Sequence, residues 1–165
     1  MLKTPVVLLA LAAMGCLAGC SNPWLHRSGR ALPKVAPVYG PTNPSPEQMA
    51  QEPVKYYASI VELKPEMERK YRELHADVWK EVVAAIRKAN IRNFNIFVTD
   101  IVGRRYLIST LEYTGQDAEK DFGSMKDDAV TRDKWWPITN DCQRRLPGTP
   151  EGEQWRPMEM LMHIK

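Results

Sequence analysis

Seven of the chain's thirteen prolines stand at positions 23, 33, 37, 41, 44, 46 and 53, set among Ser, Asn, Gly and Gln. Each proline fixes φ and removes a backbone N–H, so this density stops a helix from propagating and keeps the segment out of a sheet centre. Residues 21–53 are therefore expected to form an extended, semi-rigid spacer. Whatever core the chain builds must come from residues 54–165.

There the pattern changes. VKYYASIVEL (54–63) is rich in β-branched and aromatic residues and reads as a strand. Pro65 suits the first turn of a helix, and Glu66 and Glu68 sit well near the positive end of its dipole. Met67, Tyr71, Leu74, Val78, Val82 and Ile86 carry one apolar face as far as about Lys88. Asn93–Thr99 and Arg105–Tyr113 read as two strands joined by a hairpin through Gly103. Asp117–Asp128 is expected to be helical, and Arg132–Arg145 helical with an interruption near Pro137. A loop with Pro147, Gly148, Pro150 and Gly152 leads to a last strand, Arg156–Ile164. The order β, α, β, β, α, β predicts an α+β, ferredoxin-like fold: one antiparallel sheet backed by helices. The face of the sheet away from the helices must be wet, line a pocket or meet a second copy.

The start of the chain has a different logic. Lys3 supplies a positive charge, VVLLALAAM (6–14) is apolar, and small residues lead to Cys20. The apolar run is too short for a spanning helix, which needs roughly 20 residues. Charged, then apolar, then small is the order of a secretory signal. Leu17, Ala18, Gly19 and Cys20 resemble the lipobox of bacterial lipoproteins. That resemblance implies cleavage after residue 19, acylation of Cys20, and an exported protein anchored to a membrane, periplasmic or at the cell surface. The organisation is then 1–19 signal, 20–53 lipidated cysteine and tether, and 54–165 folded domain.

Of the three cysteines, Cys16 would leave with the signal and Cys20 would carry lipid, so Cys142 alone stays in the body. One thiol forms no intrachain bridge, and a cysteine-based zinc cluster is excluded by count. Cys142 is read as a half-buried thiol. Net charge is +3, with acidic and basic residues interspersed. No basic stripe with interleaved aromatics speaks for nucleic acid.

Tyr71, His75 and Trp79 recur at i, i+4 and i+8 and so lie along one side of the first helix. With the apolar face centred near Val78, Tyr71 lies about 20° from the centre, His75 about 60° and Trp79 about 100°. A histidine at the margin of a buried stripe can meet both a pocket and water, and it exchanges protons near neutrality. It can equally be a boundary residue bonded to some polar neighbour. His26 and His163 are poorer candidates. A metal site is not expected, because His75 has no ligand at i+4. Trp135 and Trp136 point about 100° apart on a helix, so both do not fit one core. An indole face suits a sugar ring; equally, one indole can pack while the other covers a seam.

Residues 54–165 resemble the L-rhamnose mutarotase family. The resemblance rests on YRELHADVWKE (71–81), then Asn93, Phe94, Ile96 and Phe97, then the acidic helix, Trp135–Trp136 and a terminal strand. It implies a dimeric α/β-barrel type of assembly and cofactor-free interconversion of sugar anomers. In that pattern His75 is the proton donor; the chemistry of anomer exchange, which needs two proton transfers, adds the Tyr71 phenol as its catalytic partner. Tyr71, Phe94, Trp135 and Trp136 contact the sugar, L-rhamnose or a related deoxyhexose. Phe94 replaces the family's usual tyrosine and Lys80 its usual proline. The alternatives are a non-catalytic sugar-binding module and, by fold analogy alone, a cofactor-free oxygenase.

Overall fold

The structure, a computed structural model, describes residues 35–164. The signal segment, Cys20 and His26 lie outside the described residues. Within the expected spacer, Pro46–Ala50 (α1) forms a short helix. Ser45 caps it by accepting from the Gln48 N–H, and the Gln48 side chain accepts from the Ser45 N–H. This reciprocal cap, with Pro46 at the first helical position, offsets the proline density locally. So the spacer is not extended throughout.

The sheet is built from β1 (Lys55–Leu63), β2 (Ile91–Ile101), β3 (Arg104–Tyr113), β4 (Gln143–Arg144) and β5 (Arg156–Pro157). Its order is β2-β3-β1-β4, with β5 also on β1, and every pairing is antiparallel. The predicted α+β, ferredoxin-like order therefore holds. The last strand is much shorter than expected. Pro157 has no N–H to give the ladder, and pairing ends once Met158 N–H donates to Ala58 O at 2.9 Å. The tail then turns back, with His163 N–H donating to Thr42 O and its ring against Tyr56.

The single helix expected over 65–88 is two helices. A 3-10 turn (Pro65–Met67) leads into α2 (Glu68–Ala76), and α3 (Lys80–Lys88) follows. Asp77, at φ −141° and ψ 83°, breaks the run. The apolar spacing continues across the break, which is why the sequence reads as one helix. The acidic segment gives α4 (Ala118–Gly123) and a 3-10 turn (Ser124–Asp127). A single π-helical turn, Thr131–Trp135, then runs directly into α5 (Trp136–Asp141). Pro137 falls in the first turn of α5, where it breaks nothing.

Register assigns the faces. Val61 pairs with Leu107, and Leu107 with Val98. These residues and Leu63 face the helices and form the core with Tyr71 and Cys142. Cys142 is fully buried, not half-buried, because it packs against Val61, Leu63, Tyr71 and Leu107, held there as its carbonyl accepts from Lys64 N–H. The alternate residues Tyr56, Phe97 and Ile101 stand on the other face and are exposed. Glu62 is buried on that face, with Arg144 Nη1 at 2.7 Å from one carboxylate oxygen and Arg104 Nη1 at 3.3 Å from the other.

Candidate functional site

Helix α2 crosses the helix-facing side of the sheet and leaves a hollow of about 230 Å³. Leu63, Leu107, Ile96 and Val98 supply aliphatic walls from three strands. Tyr71, Arg72, His75 and Ala76 of α2 line it from the other side, with Phe97 at its edge. The volume falls below the roughly 300–1,000 Å³ of drug-sized sites and is on the scale of one small ring.

The 3.6-residue period puts Tyr71 and His75 one turn apart, and their rings stack at 4.0 Å with 22° between planes. His75 Nδ1 lies 2.9 Å from the Tyr71 carbonyl. A carbonyl only accepts, so Nδ1 carries the hydrogen and Nε2 holds the lone pair. Burial lowers the pKa of His75 below its ordinary value, against the smaller opposing effect of that hydrogen bond. The ring is therefore neutral at pH 7, with Nε2 ready to take a proton. Burial also raises the Tyr71 phenol far above the ordinary tyrosine value, opposed by the Gln143 amide and reinforced slightly by Cys142. The site thus pairs a neutral base with a fully protonated acid. Both come from one edge of one helix, side by side and not across the hollow from each other.

The π-helical turn positions the third ring. Asp128 caps it by accepting from Thr131 N–H at 2.7 Å. The widened turn places Trp135, 7% exposed, against His75 at 5.2 Å and Trp79 at 5.3 Å. Four rings, Tyr71, His75, Trp135 and Trp79, thus run in contact although the chain breaks between α2 and α3. Trp136 is half-buried, so the two indoles divide between core and surface as their 100° separation requires. Phe94 is 42% exposed and is not among the residues bounding the hollow. It sits at a one-residue bulge between Arg92 and Asn95, where Asn93 takes φ +44°. Outside the hollow, Glu68 pairs with both Arg72 and Arg105, and Arg105 with Asp100. These partly exposed pairs tie α2 to the sheet edge and add little stability each. Among the described residues no group of three or more His, Cys, Asp or Glu is placed to hold a metal ion.

Sequence reasoning missed Gln143. It is 5% exposed and stands on β4 opposite Leu63. A two-residue strand after a helix gives no periodicity to read.

The sequence pattern that defines L-rhamnose mutarotases matches residues 56–164. An L-rhamnose mutarotase of Burkholderia ambifaria is 32% identical over 79 residues, 48% of this chain and 70% of that protein. One of Tolumonas auensis is 22% identical over 94 residues, 57% of this chain and 82% of that protein. The crystal structure of an L-rhamnose mutarotase from Formosa agariphila superposes with a TM-score of 0.48 at 18% identity, covering 67% of this chain and 99% of that one.

Proposed function

Because the chain belongs to the L-rhamnose mutarotase family, we propose that it interconverts the anomers of L-rhamnose or a related deoxyhexose. The observation that carries this reading is the stacked Tyr71–His75 pair on an apolar hollow, with Nε2 free and the phenol protonated. Ring opening needs two proton transfers. His75 Nε2 takes the proton of the anomeric hydroxyl as C1=O forms. The C1–ring-oxygen bond breaks, and the ring oxygen receives the phenol proton of Tyr71. The aldehyde turns about C1–C2, and the two transfers reverse on closure, restoring both side chains. The two oxygens share one carbon, so adjacent groups on one helix edge can serve both. Each positioned acid or base contributes about 10²–10⁴-fold. No cofactor enters these steps.

The test is exchange between anomers followed by NMR saturation transfer with the purified chain and L-rhamnose. Exchange above the spontaneous rate that falls to it in His75→Ala supports the reading. No acceleration, or full activity in His75→Ala, refutes it. The second reading, a sugar-binding module without catalysis, draws on Phe94, which lacks the hydroxyl of the family's tyrosine. Binding of L-rhamnose without exchange would favour it.

Two further parts of the proposal lie outside the site. The Leu17–Cys20 run supports export and anchoring through lipidated Cys20, so Cys20→Ser is expected to leave the protein unacylated. The exposed Tyr56, Phe97 and Ile101 support pairing of two copies through the open sheet face, checked by sedimentation.

A further inference from the structure

We propose that Gln143 is a positioning residue for the reaction, holding the Tyr71 phenol in the orientation from which it delivers and recovers its proton. The inference rests on the reading of Tyr71 as the acid and adds a residue to it.

Register fixes where Gln143 points. Leu63 pairs with Gln143, and Glu62 with Arg144. The Arg144 side chain reaches Glu62 on the outer face at 2.7 Å, so its neighbour Gln143 takes the helix-facing side, that of Leu63. Leu63 and Tyr71 both line the hollow, and Cys142, next in the chain, packs in one cluster with them. Gln143 is not itself a wall of the hollow; it stands behind Tyr71. It is 95% removed from solvent by its 5% exposure, and its Oε1 has no hydrogen-bond partner among the described residues. A buried amide oxygen left unpaired costs stability, so its presence beside the core calls for an explanation.

The chemistry of the amide supplies the use. A side-chain amide offers an acceptor and two donors from one group. While Tyr71 is protonated, the amide N–H can donate to its oxygen and leave the O–H free to face the sugar. Once the proton has moved to the sugar's ring oxygen, the phenolate needs a donor, and the amide N–H is beside it. No bond is made or broken at Gln143; it serves both states of its neighbour in a place where water does not reach.

The experiment measures kcat and KM for L-rhamnose anomer exchange in the full chain, with Gln143→Met, Tyr71→Phe and the double variant. Methionine keeps length and apolar volume and removes both donor and acceptor. Gln143→Met is expected to lower kcat about 10- to 30-fold and to leave KM within about twofold, since the amide does not touch the sugar. In Tyr71→Phe the same change is expected to alter kcat less than about twofold, because the group it serves is gone. Gln143→Leu, which also removes both donor and acceptor at similar volume, repeats the test should methionine disturb the core. Equal losses in both backgrounds, or an unchanged kcat, overturn the inference while the mutarotase reading stands. Absence of exchange in the unsubstituted chain sinks both, and is told apart because it needs no substitution.

Discussion

The hairpin between β2 and β3 turns through Val102 and Gly103, both in the left-handed region at φ +50° and +71°. Two successive positive φ values make the turn whose twist matches its strands, and it favours Asn-Gly. Among the described residues the other left-handed positions carry Asn90, Asn93, Gly148 and Gly152. Val102 is the exception, and a β-branched residue there costs about 1–2 kcal/mol. Val102 is 88% exposed, so replacing it forfeits little packing, ~0.4 kcal/mol at about 25 cal/mol per Å². Val102→Asn should therefore stabilise the fold by about 1 kcal/mol, raising Tm by about 4 °C. Urea unfolding followed by circular dichroism checks it: the midpoint should rise with the m-value unchanged. Gly103→Ala, which adds a Cβ at φ +71°, should shift it the other way by about 1 kcal/mol. A lower or unmoved midpoint in Val102→Asn would show that the turn is not strained as its dihedrals say.

Three further outcomes follow from the same structure. Exchange activity should rise with pH through a single acidic limb placed below 6.5, the ordinary histidine value, because burial favours the neutral ring of His75; it should stay flat to pH 9, the Tyr71 phenol titrating far higher. The same shift acts on stability. Between 6.5 and the lower folded value the unfolded chain binds a proton that the folded one does not, so stability is full above about pH 6.5 and falls as pH drops, a slope His75→Gln should remove. Gly115→Ala should destabilise by several kcal/mol in thermal unfolding, because its Cβ would collide with the Tyr113 hydroxyl and the Asp121 carboxylate. Those two groups are bonded at 2.7 Å, and Asn90 donates to the same carboxylate.

What could be read from the sequence follows from how local each signal is. The three long strands and their central hairpin have alternation and turn chemistry of their own, and they appear within two residues of where the pattern puts them. The break at Asp77 left no mark, since Val78 within it and Val82 of α3 continue the apolar spacing of α2. Tyr71 and His75 needed only a helical period to be placed together. Trp135 joined them through a π-helical turn that no spacing announces. Phe94 and Gln143 depend on register: a bulge displaces one, and pairing with β1 turns the other inward. Pro46–Ala50 was legible after all, in the Ser45–Gln48 capping pair.

The aliphatic walls also set what the hollow can tell apart. A 6-deoxyhexose presents a methyl group where the parent hexose has a hydroxymethyl. Leu63, Leu107, Ile96 and Val98 offer no hydrogen-bond partner from their side chains, so a hydroxyl laid against them loses its water and gains nothing. An apolar pocket nevertheless rejects an added hydroxyl by only about 10²-fold, far less than a hydrogen-bonding site rejects its absence. L-rhamnose should then exceed L-mannose, its 6-hydroxy counterpart, in kcat/KM by about 10- to 100-fold. Leu107→Ser, by placing a hydroxyl on the floor, should narrow that ratio while lowering Tm. Measured by saturation transfer on both sugars, a preference for L-mannose, or a ratio that Leu107→Ser leaves untouched, would mean that the sugar's methyl group does not lie on these strands.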